Sequence, residues 1–195
     1  MKKQLCSLLT ALALAVGLLP SAARAAENAP SFADVPAAAW YADAVQYVYE
    51  NGLMTGVSES EFAPDGTATR GQIVTILWRL AGSPVVNYAM RYADADEGAW
   101  YGEAVRWAAS TGVVTGYSES SFGPNDAITR EQLAAILYRY IKTQGQGFTG
   151  MWYFPLRYDD AASISDWADE AMHWCVMKGV LNGTGETTLS PQLTA

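Results

Sequence analysis

The chain has 195 residues, half of them hydrophobic and 12% aromatic, with 12 Lys plus Arg against 20 Asp plus Glu and a net charge of -8. That composition can bury enough apolar surface to fold, which excludes wholesale disorder, and the acidic balance argues against nucleic acid, whose binders place cations on phosphates. One His (His173) and two Cys (Cys6, Cys175) cannot supply the three or four ligands of a zinc site built from Cys and His, so neither a metal nor a cofactor is expected.

Residues 1–25 read as a secretory signal peptide: Lys2 and Lys3, then an apolar run, then Ala23-Arg24-Ala25 as the cleavage pattern. The apolar run is shorter than the roughly 20 residues that span a bilayer, so no membrane association is expected once the leader is gone. Its removal would leave 9 basic and 20 acidic side chains, a net charge of -11, and Cys175 as the single thiol. A lone thiol makes no intramolecular disulfide, and burial as a small hydrophobe is the expectation.

The rest of the chain is organised by an internal repeat. Unit 32–84 recurs as unit 92–142, its residues 32–82 aligning sixty positions later without a gap and matching Asp34 to Asp94, Trp40 to Trp100, Gly56 to Gly116, Phe62 to Phe122, Thr69 to Thr129 and Arg70 to Arg130. A third, partial unit occupies 158–195 at a further offset of 67, with Trp167, Gly183 and Pro191 in register, and it stops before the Thr-Arg step. Its equivalent of Asp34 is either Asp159 or Asp160. Between the second and third units, 143–157 is a Gly-rich linker crowded with Phe148, Trp152, Tyr153 and Phe154, either a packed loop or a lid.

Each unit predicts helix, compact loop, helix. Ala44, Val45, Val48 and Tyr49 fall at helical spacing, and Asn51-Gly52 is a left-handed glycine stop. The segment to Thr67 carries turn chemistry, Ala-Pro-Asp-Gly among it. Thr69 to Gln72 and Thr129 to Gln132 fit capping boxes ahead of the apolar stripes Ile73, Ile76, Leu77, Leu80 and Leu133, Ile136, Leu137, Tyr140. Two short helices cannot bury both apolar faces alone, so the expected fold is all-α, with tandem helix-loop-helix units packed on one another.

The arginine after each capping Thr stands against the positive end of the helix dipole, at a cost of about 0.3–1 kcal/mol. Two readings follow. Free N–H groups, the Thr hydroxyl and the guanidinium cradle an external anion, or the Arg pairs with an acid of the chain such as Asp34 or Asp94. Trp40, Trp100 and Trp167 before the first helices are either sugar-stacking faces or core wedges. The Gly56 and Gly116 segments lack the last glycine of a nucleophile elbow and sit between helices, and His173 reads as a core residue beside Trp174. No catalytic constellation emerges.

Phe-x-Asp-Val, Trp-Tyr, a helix ending in Gly, Thr-Gly, Phe-x-Pro and Thr-Arg-Glu-Gln, in that order, resemble the S-layer homology family. The resemblance implies a pseudo-threefold helical bundle that anchors exported proteins to secondary polysaccharide of the bacterial cell wall, in grooves between units that hold pyruvylated sugar. Carried onto this sequence, the ligand-binding residues are Arg70 and Arg130, supported by Thr69, Thr129, Asp34, Asp94, Trp40 and Trp100. The expected location is secreted, at the cell wall or surface layer. The incomplete third unit is expected to favour self-association. The alternative is a structural or protein-interaction module of the surface layer, in which the arginines only brace the bundle.

Overall fold

The computed structural model describes residues 32–195, so the signal-peptide expectation lies outside the described residues. Five α-helices follow in order: α1 (Ala42–Glu50), α2 (Arg70–Leu80), α3 (Gly102–Ser110), α4 (Arg130–Thr143) and α5 (Asp169–Met177). Two single 3₁₀ turns, Ala161–Ser163 and Asp166–Ala168, lead into α5. Among the described residues there is no sheet, only two isolated bridges, and no helix is long and apolar enough to cross a membrane. The all-α expectation therefore holds.

Local chemistry sets the helix ends as the spacing predicts. Both capping boxes form: the Thr69 hydroxyl accepts from the Gln72 N–H while the Gln72 side chain accepts from the Thr69 N–H, and Thr129 and Gln132 repeat the pattern. At the other end of α1, Gly52 takes the left-handed conformation at φ 65°.

The second helix of one unit packs on the first helix of the next, α2 against α3 and α4 against α5. Ala104, Val105 and Ala108 on α3, and Ala171, Met172 and Cys175 on α5, are thereby buried. The Cys175 thiol, 3.9 Å from the Ala134 carbonyl, is pushed up to about 12 by burial and is inert at neutral pH. His173 departs from the core expectation: it is half-buried, its Nδ1 lies 2.9 Å from the Asp169 carbonyl, and the Trp152 ring covers it. Trp152 in turn stacks on Phe148 at 4.2 Å, so those two linker aromatics are packed while Met151 and Tyr153 stand exposed.

Three equivalent residues close the units into a ring. The Ala68 N–H donates to Ala195 O, the Ile128 N–H to Ala68 O and the Ala195 N–H to Ile128 O, at 2.9–3.0 Å. One residue per unit, each donating to the next, is the signature of a pseudo-threefold axis. The helix starts are locked beside it: the N–H groups of Arg70 and Gly71 donate to Asp126 and Pro124 carbonyls, and those of Arg130 and Glu131 to Leu193 and Pro191 carbonyls. Glu131, 5% exposed, also accepts from the Ser165 N–H and hydroxyl, both at 3.0 Å, and so ties α4 to the turn before α5.

Candidate functional site: a groove between units

The ring closure brings residues of all three units around Arg70. A cavity of about 370 Å³ is walled by Val114, Thr115, Gly116 and Tyr117 of the second loop, by Gln132, Ala135, Ile136 and Arg139 of α4, and by Trp167 of the third unit. Arg70 enters it from the start of α2. Its Nε donates to Phe122 O at 2.9 Å, and its guanidinium lies 4.3 Å from the Tyr117 ring centre and 4.9 Å from that of Phe122. Tyr117 can lie so near because residue 123 is glycine: a Cβ there would stand 2.4 Å from the ring, and the backbone is left-handed at φ 70°.

The groove is lined by two cations and no carboxylate, with the Asp126 charge acting on Arg70 from beyond the cavity wall. Neither Arg70 nor Arg139 has a carboxylate within 4.0 Å among the described residues, so the Asp34 or Asp94 ion pair does not form. Burial is the largest cause and lowers the pKa of Arg70; Tyr117, Asp126 and Tyr92 raise it in part, and the Arg139 charge opposes it least. Burial alone lowers that of Arg139. Two partly dehydrated cations that repel each other across a cavity are each stabilised by one anion placed between them.

The free helix N-terminus does not exist. The N–H groups of Arg70, Gly71, Arg130 and Glu131 are spent on carbonyls of the next unit, and the Thr69 and Thr129 hydroxyl oxygens accept the Gln72 and Gln132 N–H groups in the capping boxes. Thr69 and Thr129 thus position the arginine, and what they have to offer an anion is the hydroxyl hydrogen. Any anion here is held by side chains.

Asp34 and Asp94 serve their own units. Asp94 accepts from the N–H groups of Phe122 and Gly123 and from the Ser121 hydroxyl, Asp34 from Phe62 and Ala63. In the third unit Asp160 does the same for Leu189 and Ser190, which settles the choice between Asp159 and Asp160. Each carboxylate clamps a loop whose second residue is left-handed, Ala63, Gly123 or Ser190. Asp94 and Arg70 hold the two faces of one peptide, since Phe122 gives its N–H to the first and its carbonyl to the second.

All three clamps hold their pKa below the ordinary 3.8. In Asp34 and Asp160 the N–H donors of Phe62 and Leu189 are the largest cause. In Asp94 burial is the largest influence and pushes upward, but the Phe122, Gly123 and Ser121 donors together outweigh it. A carboxylate with a depressed folded pKa contributes stability above its unfolded value, about 4, and loses it as pH falls through the folded value. The urea midpoint is expected to be flat near neutrality and to fall below about pH 4, and Asp94→Asn is expected to lower the neutral midpoint and flatten that acid limb.

Arg130 has the same anchor but an open groove. Its Nε donates to Leu189 O at 2.9 Å, and its Nη2 to the Asn182 carbonyl. Thr184 stands where the first groove has Tyr117, and among the described residues no second helix of the third unit walls the other side. Trp40 and Trp100 do not line the Arg70 cavity; Trp167 does. At 88%, 58% and 54% exposure, Trp40, Trp100 and Trp167 are surface faces and not core wedges. Sequence reasoning missed Tyr117, Gln132 and Arg139. Gln132 and Arg139 do repeat as Gln72 and Arg79, whereas Tyr117 matches Val57 and Thr184, so no repeat signal marks it. A second hollow, of about 330 Å³ at Phe32, Tyr49 and Thr55 to Glu59, carries an acid and no cation.

Comparison with known proteins matches the family model of the S-layer homology domain at residues 31–74, 91–134 and 157–195. The chain is 29% identical over 198 residues, 97% of its length, to an endoglucanase of Bacillus sp. (strain KSM-635). It is 27% identical over 187 residues, 95% of its length, to S-layer protein sap of Bacillus anthracis. It is 26% identical over 159 residues, 78% of its length, to an amylopullulanase of Thermoanaerobacterium thermosulfurigenes. The chain spans only 20%, 22% and 8% of these relatives' lengths, respectively.

Proposed function

The chain belongs to the S-layer homology family, and from that premise we propose that it is a non-catalytic anchoring module binding an anionic, pyruvylated secondary cell-wall polysaccharide in the groove between its units. Repeats of this family are cell-surface anchoring modules, and a place at the cell wall or surface layer comes with membership. A segment common to an endoglucanase and to S-layer proteins fits a role in attachment better than one in either protein's own activity.

The observation that carries the ligand is the pair Arg70 and Arg139 facing one cavity without a carboxylate, beside the exposed Trp167 face. An acidic sugar substituent supplies the missing anion, and charge-assisted bonds to it are worth about 1.5–3 kcal/mol each. The indole offers its apolar face to the ring of the sugar. An acidic protein has a repulsive long-range field toward an anionic polymer, so attraction has to come from such a local pocket.

A second reading has its own observation. Arg70 and Arg130 both hydrogen-bond loop carbonyls of the next unit, which is what bracing arginines would do in a module that docks other surface proteins. Pull-down on cell-wall sacculi separates the two. Under the anchoring reading the purified chain sediments with intact sacculi and stays in solution once the secondary polysaccharide has been chemically removed. Retention on stripped sacculi would favour protein docking.

A further inference from the structure

The loop of every unit turns on a glycine that packing requires. A Cβ at Gly56, Gly116 or Gly183 would stand 2.6–2.8 Å from a backbone oxygen and from the ring of Phe32, Tyr92 or Tyr158. The residue before it is Thr55 in the first unit and Thr115 in the second, but Asn182 in the third. The third unit therefore places an Asn-Gly pair, the dipeptide whose side-chain amide is most easily attacked by the next backbone nitrogen, where the fold admits nothing but glycine after the Asn.

The chain carries a second such pair, Asn51-Gly52, and the fold holds the two differently. The Asn51 side-chain amide donates to Tyr47 O at 2.8 Å and the Gly52 N–H to Tyr49 O at 2.9 Å, so both reacting groups are engaged at the end of α1. The Asn182 side chain is exposed and makes no hydrogen bond among the described residues. The Gly183 N–H has only the Tyr158 hydroxyl oxygen, at 3.2 Å. The carbonyl of that same peptide accepts from Nη2 of Arg130. A charged donor on the carbonyl draws electron density from the peptide and makes its N–H more acidic, which is what the attack needs.

We propose that Asn182 is a self-modification site, which deamidates through its own backbone and leaves a carboxylate paired with Arg130. The Gly183 nitrogen attacks Cγ of Asn182. An N–Cγ bond forms, the Cγ–Nδ2 bond breaks, and the Gly183 proton departs with the side-chain nitrogen as ammonia. Water then opens the five-membered imide, giving aspartate where the new N–Cγ bond breaks and isoaspartate where the original peptide bond breaks. Water is the sole co-reactant. Either product adds one negative charge to the residue whose carbonyl already bonds Arg130, a cation with no carboxylate within 4.0 Å among the described residues. Asp160 acts on Arg130 from farther off, its oxygens held by the Leu189 and Ser190 N–H groups. The modification thus gives the third unit's arginine an internal partner that Arg70 lacks, and Thr55 and Thr115 have no amide with which to do the same.

The test follows both pairs in the unaltered chain by peptide mapping with mass spectrometry during warm incubation at neutral pH, with isoaspartate detected by enzymatic methylation. Conversion at Asn182 should run about tenfold faster than at Asn51, whose two hydrogen bonds must open first. In urea the two rates should converge, because only the fold separates them. Asn182→Thr, the residue of the other two units, should end ammonia release from this loop and leave circular dichroism as it was. Pairing is read by urea unfolding: Asn182→Asp should have a higher midpoint than Asn182→Thr, and that gain should vanish when Arg130→Gln is added to both. Conversion at Asn182 no faster than at Asn51 in the folded chain would overturn the site, and a midpoint gain that is absent or survives Arg130→Gln would overturn the pairing.

Discussion

Arg70→Ala is expected to remove binding to sacculi and about 2–4 kcal/mol of folding stability together, read by pull-down and by urea unfolding. Three losses coincide at one side chain that is 5% exposed. The charged hydrogen bond to Phe122 O contributes about 1.5–3 kcal/mol, and the Tyr117 and Phe122 faces add to it, offset in part by the desolvation of the buried guanidinium. The Phe122 carbonyl is then left buried and unpaired while Asp94 still holds the N–H of the same residue. Arg70→Lys keeps the charge but loses the planar fork and is expected to recover only part of either quantity.

The double role has a consequence for the choice of variants. Loss of binding in an Arg70 variant alone does not separate ligand contact from bracing. Arg139 does separate them, because among the described residues it has no hydrogen bond or ion pair to lose. Arg139→Gln is expected to weaken wall binding about tenfold to a hundredfold with little change in the urea midpoint, the factor that matches one charge-assisted bond.

Phe122→Ala is expected to cost about 3–5 kcal/mol, and Phe62→Ala only about 1–2 kcal/mol, measured by the same unfolding experiment. The two phenylalanines are sequence equivalents with the same Asp clamp on their N–H. Phe122 is fully buried, packs on Tyr92 at 5.5 Å between ring centres and lies under Arg70. Phe62 is half-buried, and among the described residues no helix packs on the first helix of its unit. Equal costs would mean that the first unit is as well covered as the second.

That asymmetry shows where the sequence was legible. Thr69, Gln72, Thr129 and Gln132 could be read as capping boxes because capping is local, settled within four residues. Gly52 and the α1 stripe were legible for the same reason. The all-α repeat class followed from the sixty-residue register and the helical spacing of its apolar positions.

What is set between units was not legible. The sequence places an Arg after each Thr but does not say that its N–H is spent on Asp126, or that its Nε reaches Phe122, 52 residues away. Trp40 and Trp100 were natural candidates for the groove because they repeat, yet the threefold arrangement gives Arg70 the tryptophan of the third unit. Tyr117 has no repeated counterpart at all. The acids read as groove residues clamp loops instead, because two adjacent N–H groups at a left-handed turn are the strongest acceptor-seeking site within their reach.

The most direct test of the groove is calorimetric titration of purified wall polysaccharide fragments, with and without their acidic substituent, into the chain and into Arg139→Gln. Binding at the Arg70–Arg139 cavity is expected, since among the described residues it brings two cations together within its walls, and it should be lost on removal of the substituent and weakened in the variant. Equal affinity for the neutral fragment, or full affinity in Arg139→Gln, would contradict the account.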